Sequence, residues 1–364
     1  MRTASIILCF CLLVTSGCTT KAFKDIDRRF FVLALGVDKS KEDSNKYRVT
    51  LKLGIPSPKI EPGKAKSQII SQESESVSDA IRLLKSKVDK ELDFGHTKML
   101  VIGEALAKED VTSAIDFFIR RRDIQNIAFM AVGSPDAEAV LKITPKSERL
   151  PANALFLSFD ELGTESSFII TEYLFDFYRR MTEKGLDPYL PVVQADSETY
   201  IINRIGVFDK TRMKLMLSPK ESAILNELAR NIQKFHILTR TKDTDFSLSV
   251  EKFNRKFVFD PQDATKLHVK SEIEGTIEQS TQPIFDEDWK KYEQQTEQVA
   301  VKRYMDVLRK LQKNNVDPIG LGLIYRARHY NNDSKDWETW QKIYPNLSFD
   351  VKVDVKIEGT GVIK

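Results

Sequence analysis

The sequence predicts an α+β protein of several domains, three in the division given below. Mixed or antiparallel sheets pack against helices, and a C-terminal antiparallel sheet is covered by a long helix. Three observations predict this. Up to about residue 143, runs of strand length alternate with amphipathic helical stretches. A cluster of breakers, Gly185-Leu186-Asp187-Pro188-Tyr189-Leu190-Pro191, interrupts the middle. The last third combines alternating runs, one long helical stripe and a final strand of near-perfect period two. The composition agrees: of 364 residues, 41% are hydrophobic and 30% charged, enough to bury a core without disulfides. Lys+Arg is 56 and Asp+Glu 53, a net +3 that excludes a nucleic-acid binder working by bulk charge and excludes an acidic tail. No stretch reaches the ~18 consecutive apolar residues of a membrane helix.

The N-terminus reads as an export signal. Arg2 supplies the n-region charge and Ala4 to Val14 the apolar h-region, ending in Thr15-Ser16-Gly17-Cys18. The cysteines are Cys9, Cys11 and Cys18, so cleavage after Gly17 leaves Cys18 as the first residue and the only cysteine. That mature chain can hold neither an internal disulfide nor a multi-cysteine metal site. Small residues followed by Cys after an h-region resemble a bacterial lipobox, with Thr15 where an aliphatic residue is usual. Cys18 is therefore the expected lipidation site, and two acyl chains suffice for stable anchoring.

After this signal (residues 1–17) and a tether (18–29), residues 30–143 form the expected N-terminal α+β domain. Phe30 to Asp38 reads as a buried strand, and Tyr47 to Leu53 as an alternating strand that pairs back on it. Lys66 to Ser74 returns as a third strand. Ser78 is the expected N-cap of a helix with Ala80, Ile81, Leu84, Val88 and Leu92 on one face. Lys98 to Gly103 is a strand, Asp110 to Arg122 a helix, Ile127 to Gly133 a strand and Pro135 to Leu141 a short helix.

A middle domain is expected over 144–228. Leu155 to Phe159 and Phe168 to Met181 read as helical, Tyr200 to Phe208 and Met213 to Leu217 as paired strands. Ser218-Pro219-Lys220-Glu221 opens a helix with an N-cap, Pro at N1 and an acid in the first turn. The C-terminal domain, 229–364, holds strands at 232–238, 246–259 and 267–278 and a long helix from Asp286 to Asn314. Helices at 319–329 and 337–343 follow. In the final strand, Phe349, Val351, Val353, Val355 and Ile357 share one face, with Asp350, Lys352, Asp354, Lys356 and Glu358 on the other.

Motifs for catalysis are missing. The histidines, His96, His236, His268 and His329, are too far apart in sequence for a His-x-x-x-His pair, and no P-loop, Gly-x-Ser-x-Gly or Gly-x-Gly-x-x-Gly occurs. Asp93-Phe94-Gly95 matches a kinase triplet in letters only, without the accompanying loops. Arg120-Arg121-Arg122 reads as a solvated helix end, and the aromatic stretch Phe168 to Tyr178 as core. No catalytic residue, metal site or cofactor is expected.

Several segments, in order and over nearly the whole mature chain, resemble the Ger(x)C family, the lipoprotein C subunits of spore germinant receptors. They are Gly17-Cys18, Phe31 to Asp38, Leu92 to Glu104, Asp116 to Arg121, Gly206-Val207-Phe208 with Leu217 to Ser222, Asp317 to Gly322, and Val351 to Ile357 with Gly361. The chain departs from the family in Thr19-Thr20, where Trp-Asp is usual, in Thr15 and in Met216. The resemblance implies a three-domain α+β subunit, anchored by Cys18 on the outer face of the spore inner membrane. Its implied partners are a membrane-embedded, transporter-like subunit and a second subunit with soluble domains. The role implied is non-catalytic assembly in a complex that senses nutrients and releases ions and dipicolinic acid; no nucleic acid is involved, and direct contact with the nutrient is left open. Two other classes stay open from the residues alone: a lipid-anchored solute-binding protein of an importer, with a cleft between two α/β lobes, and an exported hydrolase with a dispersed site.

Overall fold

The structure, a computed structural model, describes residues 28–55, 67–145, 151–159, 166–242, 244–283, 289–329 and 335–360. The expected signal segment, Cys18 and most of the tether lie outside them. β1 (Arg29–Lys39) and β2 (Tyr47–Gly54) pair antiparallel, and β3 (Ser67–Ser74) extends the meander. α1 (Val77–Lys85) begins two residues earlier than predicted, because Ser76, not Ser78, accepts the Asp79 N–H at 3.1 Å. β4 (Glu91–Asp93) and β5 (Met99–Gly103) both lie parallel to β1. α2 (Glu104–Glu109) is unpredicted, since six residues carry too little periodicity to read. α3 (Thr112–Arg120), β6 (Phe129–Ser134) and α4 (Ala137–Lys142) fall where expected.

Past residue 144 the organisation differs from the predicted one. α5 (Pro151–Leu157) and α6 (Leu174–Thr182) are followed by β7 (Tyr189–Asp196), β8 (Thr199–Phe208) and β9 (Met213–Met216). Among the described residues, nine strands form one sheet in the order β3-β2-β1-β5-β6-β7-β8-β9, with β4 beside the start of β1. β7 pairs parallel with β6 through Val132↔Val192 and Gly133↔Val193, so the expected boundary at 143–144 does not divide the sheet. The breaker cluster Gly185 to Pro191 overlaps the start of β7, a strand the sequence does not predict. Pro191 stands opposite Ile205 of β8, before pairing with β6 begins, so its missing N–H breaks no bond to β6.

α7 (Pro219–Arg230) opens on the predicted N-cap and N1 proline, and the structure adds a capping box in which Ser218 and Glu221 are bonded reciprocally. A second sheet follows: β10 (Phe235–Arg240), β11 (Asp245–Phe259) and β12 (Lys266–Ser280), joined antiparallel. The chain then crosses over through α8 (Trp289–Lys313), α9 (Leu321–Arg328) and α10 (Lys335–Ile343) to β13 (Ser348–Gly359). β13 pairs parallel with β12, which corrects the wholly antiparallel sheet expected. A helical crossover brings the chain back to the end from which β12 started, and a parallel neighbour requires such a connection. The predicted alternation holds: Val351, Val353, Val355 and Ile357 are buried beneath α8, and Lys352, Asp354, Lys356 and Glu358 are exposed.

Two hydrophobic cores result, and β7 to β9 serve both. Leu190, Phe208 and Met213 pack with the N-terminal core of Leu35, Leu51, Ile81, Ile115 and Phe118. Their neighbours Tyr189, Ile205, Val207 and Leu217 pack with the C-terminal core of Phe246, Phe259, Tyr304 and Leu311. Period-two alternation thus points one strand's residues into different cores. A third cluster, with Val101, Ala131, Leu141 and Phe159, covers the opposite face of the first sheet. Burial on both faces explains why β5 reads as an unbroken apolar run.

Candidate functional site

Two sequence features read separately, the breaker cluster after α6 and the Asp317-Pro318 segment before α9, meet at the junction of the two halves. Each contributes an Asp-Pro pair. The Asp187 N–H donates to Asp317 O at 2.8 Å, and the Asp317 N–H donates to Asp187 Oδ2 at 2.7 Å. The Asp317 carboxylate then turns inward and accepts three backbone N–H groups, from Gly320 (2.9 Å), Leu321 (3.0 Å) and Gly322 (2.7 Å). It organises the turn into α9 as an N-terminal acid does. Burial pushes its pKa up to about 7 even though the three donors act to lower it.

Glycine permits the approach. Gly185 has φ +88°, and a Cβ there would lie 2.7 Å from the carbonyl carbon of Gly322. A Cβ on Gly322 would lie 2.6 Å from Gly185 Cα and 2.5 Å from Trp340 Nε1. The Leu323 N–H donates to Gly185 O at 3.0 Å, so the two segments are joined by main chain as well.

Cations close the junction. Lys210 Nζ donates to the carbonyls of Arg180 (2.6 Å), Glu183 (2.7 Å) and Leu186, at the C-terminal end of α6, and lies 3.1 Å from Asp187 Oδ1. Arg180 is buried. It donates to Pro318 O at 3.1 Å and to the Tyr189 hydroxyl at 3.0 Å, and its guanidinium stacks 4.2 Å from the Tyr189 ring centre. Its Nε lies 3.0 Å from Glu172 Oε1. The Glu172 side chain is fully buried, and burial raises its pKa to about 7 against the pull of Arg180 and Arg230. Arg326 reaches back from α9 to Lys184 O at 2.7 Å and to Glu183. Beside this junction, Glu227 of α7 is buried against Arg303 and accepts from the Tyr304 hydroxyl at 2.9 Å, tying α7 to α8.

The charged groups here are spent on protein partners. The cavity beside them, lined by Asp187, Lys210, Asp317 and Trp340, is about 180 Å³, and both oxygens of Asp317 are already hydrogen-bonded. Among the described residues no three His, Cys, Asp or Glu side chains gather to hold a metal, and no helix is long and apolar enough to cross a membrane. The histidines are dispersed: His96 packs on Phe31, His236 lies near Glu278, His268 bridges Asp260 and Asp350, and His329 stacks on Tyr325. Asp93-Phe94-Gly95 is a turn, with the Gly95 N–H donating to Asp93 Oδ1 at 2.9 Å. In the arginine run, Arg120 pairs with Asp116, while Arg121 pairs with Asp123 and stacks 3.9 Å over Phe94. The aromatic stretch is core only in part: Leu174 and Phe177 are buried, whereas Phe168, Phe175 and Tyr178 are exposed.

Comparison with known proteins agrees in both halves. Residues 23–195 match the family described as spore germination protein N-terminal domain, and residues 203–361 match the one described as spore germination B3/GerAC-like, C-terminal. Spore germination protein KC of Bacillus subtilis is 26% identical, covering 98% of this chain and 95% of its own. Spore germination protein GerQC of Bacillus cereus is 21% identical over 82% of this chain and 84% of its own. The crystal structure of the GerBC protein shares the fold, with a TM-score of 0.57 at 16% identity over 89% of this chain and 96% of that one.

Proposed function

Since the chain belongs to the GerAC-like family of spore germination proteins, matching its N- and C-terminal domains in order, we propose that it is the non-catalytic C subunit of a nutrient germinant receptor. In this reading a lipid on Cys18 holds it to the outer face of the spore inner membrane. It assembles there with an integral, transporter-like subunit and with a second subunit bearing soluble domains, so that nutrient binding elsewhere shifts the state of the whole. The observation that carries the reading is the ordered family match over nearly the full chain. The geometry supports it. A solute-binding protein closes two lobes about a hinge, whereas here β7 to β9 belong to both cores and the junction is locked by buried charge. The Asp317 carboxylate at the junction is committed to three backbone donors, a structural task. The residues divide into a tether at 18–29 and domains at 30–143, 144–228 and 229–364, the middle one sharing its sheet with the first. The test is capture of an epitope-tagged chain from detergent-extracted spore membranes. Co-purification of the two partner subunits is expected; recovery of the chain alone, under conditions that keep the other receptors whole, contradicts assembly.

A further inference from the structure

Three exposed large apolar side chains, Ile127, Phe175 and Tyr178, stand at one end of the first sheet. Ile127 is 59% exposed, Phe175 43% and Tyr178 38%. Ile127 lies on the loop before β6. The Phe175 N–H donates to Asn126 O at 3.0 Å, and Tyr178 follows one turn later on α6. The rings are held rather than loose, with Tyr173 stacked on Phe175 at 5.8 Å between centres.

The described chain begins at the same end. Arg29 pairs with Asp93 at 2.8 Å, and Gln125 Nε2 donates to Gly95 O at 2.8 Å, so the loop carrying Ile127 is bonded to the loop beside the start of β1. Cys18 precedes Arg28 by ten positions, which places a lipid on its thiol within about 35 Å of this end, the reach of an extended chain. Exposed basic groups outnumber the exposed acids Asp89 and Glu91 beside the start of β1. Asp116, Asp123 and Asp176 are each paired with an arginine (Arg120, Arg121 and Arg179), while Arg28, Lys98 and Arg122 are exposed.

Aliphatic and aromatic side chains within a cationic rim suit the headgroup layer of a bilayer, where apolar groups enter and cations meet phosphate. We propose that this end of the sheet lies on an anionic lipid surface, with Ile127, Phe175 and Tyr178 entering the headgroup region. The proposal rests on the reading of Cys18 as the anchor. It fixes the orientation of the subunit: β1 starts at the membrane, and the C-terminal ends of β5 and β6 point away from it.

The test uses full-length protein purified from membranes and reconstituted into vesicles of phosphatidylglycerol and phosphatidylcholine. A nitroxide is attached at Ile127→Cys and, as control, at Leu238→Cys, a position 50% exposed on β10. A water-soluble nickel chelate should collide with the label at 127 several-fold less often than with the label at 238. Equal collision overturns the proposal, as does shielding of 127 that arises only when partner subunits are added. Acyl mass on Cys18 is read from the same sample. An unacylated chain that still shields 127 loses the anchor and keeps the patch; an acylated chain with 127 open to water keeps the anchor and loses the patch.

Discussion

Asp187 and Asp317, 130 positions apart, hold one another reciprocally: the Asp187 N–H donates to Asp317 O at 2.8 Å, and the Asp317 N–H donates to the Asp187 carboxylate at 2.7 Å. Each precedes a proline, which keeps the Asp extended and out of helix, so both present N–H and C=O sideways to a neighbour. Between them they tie the loop after α6 to the loop before α9, and thereby one half of the protein to the other.

Removing the inner carboxylate should therefore loosen the junction. Asp317→Ala leaves the N–H groups of Gly320, Leu321 and Gly322 buried without their acceptor, and a loss of about 3–5 kcal/mol is expected. Asp317→Asn keeps one acceptor oxygen and should cost about 1–3 kcal/mol. Urea unfolding midpoints order the three proteins; equal midpoints would show that the carboxylate holds nothing.

Gly322→Ala tests the close approach. Its Cβ would meet Gly185 Cα and Trp340 Nε1, and backbone cannot yield as a flexible side chain can. Overpacking of this kind costs about 1–3 kcal/mol. The Leu323 amide, bonded to Gly185 O, should exchange its hydrogen faster in the variant; unchanged protection there contradicts the packing described.

How much of this was legible follows from the range of each cause. β13 could be read because period two is written in consecutive residues, and the start of α7 because its cap, proline and acid stand within four positions. That the final strand lies parallel depends on where a crossover of three helices returns it, which no local pattern states. β7 was hidden by Pro188 and Pro191, whose cost in a sheet depends on which neighbour is absent. The junction was the least visible part. Each Asp-Pro pair is a local chain breaker, but their meeting is long-range, and Glu172 and Arg180 look like surface residues until their burial is known. The recurrence of Asp-Pro beside glycine, at 185–188 and at 317–320, was the signal available.

Stability should fall as pH rises across the junction's titration. Glu172 has an ordinary value of 4.5 and a folded value of about 7. Below about pH 4 both the folded and unfolded chains hold the proton. Between 4.5 and 7 only the folded chain does, so its advantage is lost as pH climbs through that window. Full loss amounts to up to about 3 kcal/mol. Asp317, raised from 3.8 to about 7, acts in the same direction. Glu172→Gln should flatten the decline measured from pH 5 to 8; an unchanged slope would remove Glu172 as its source.

Cys18 carries the anchoring claim. Cells fed a labelled fatty acid should incorporate it into the wild-type chain and not into Cys18→Ala. An unlabelled wild-type chain would end that reading and leave membrane attachment to the partner subunits.

The central claim is membership in a working germinant receptor. Its most direct test is dipicolinic acid release from spores in which this gene is deleted in frame and the other germinant receptors have been removed. The account predicts that release in response to the nutrients this receptor senses is lost and returns on complementation, while a non-nutrient trigger acts as before. Undiminished release to every nutrient in that background would contradict it.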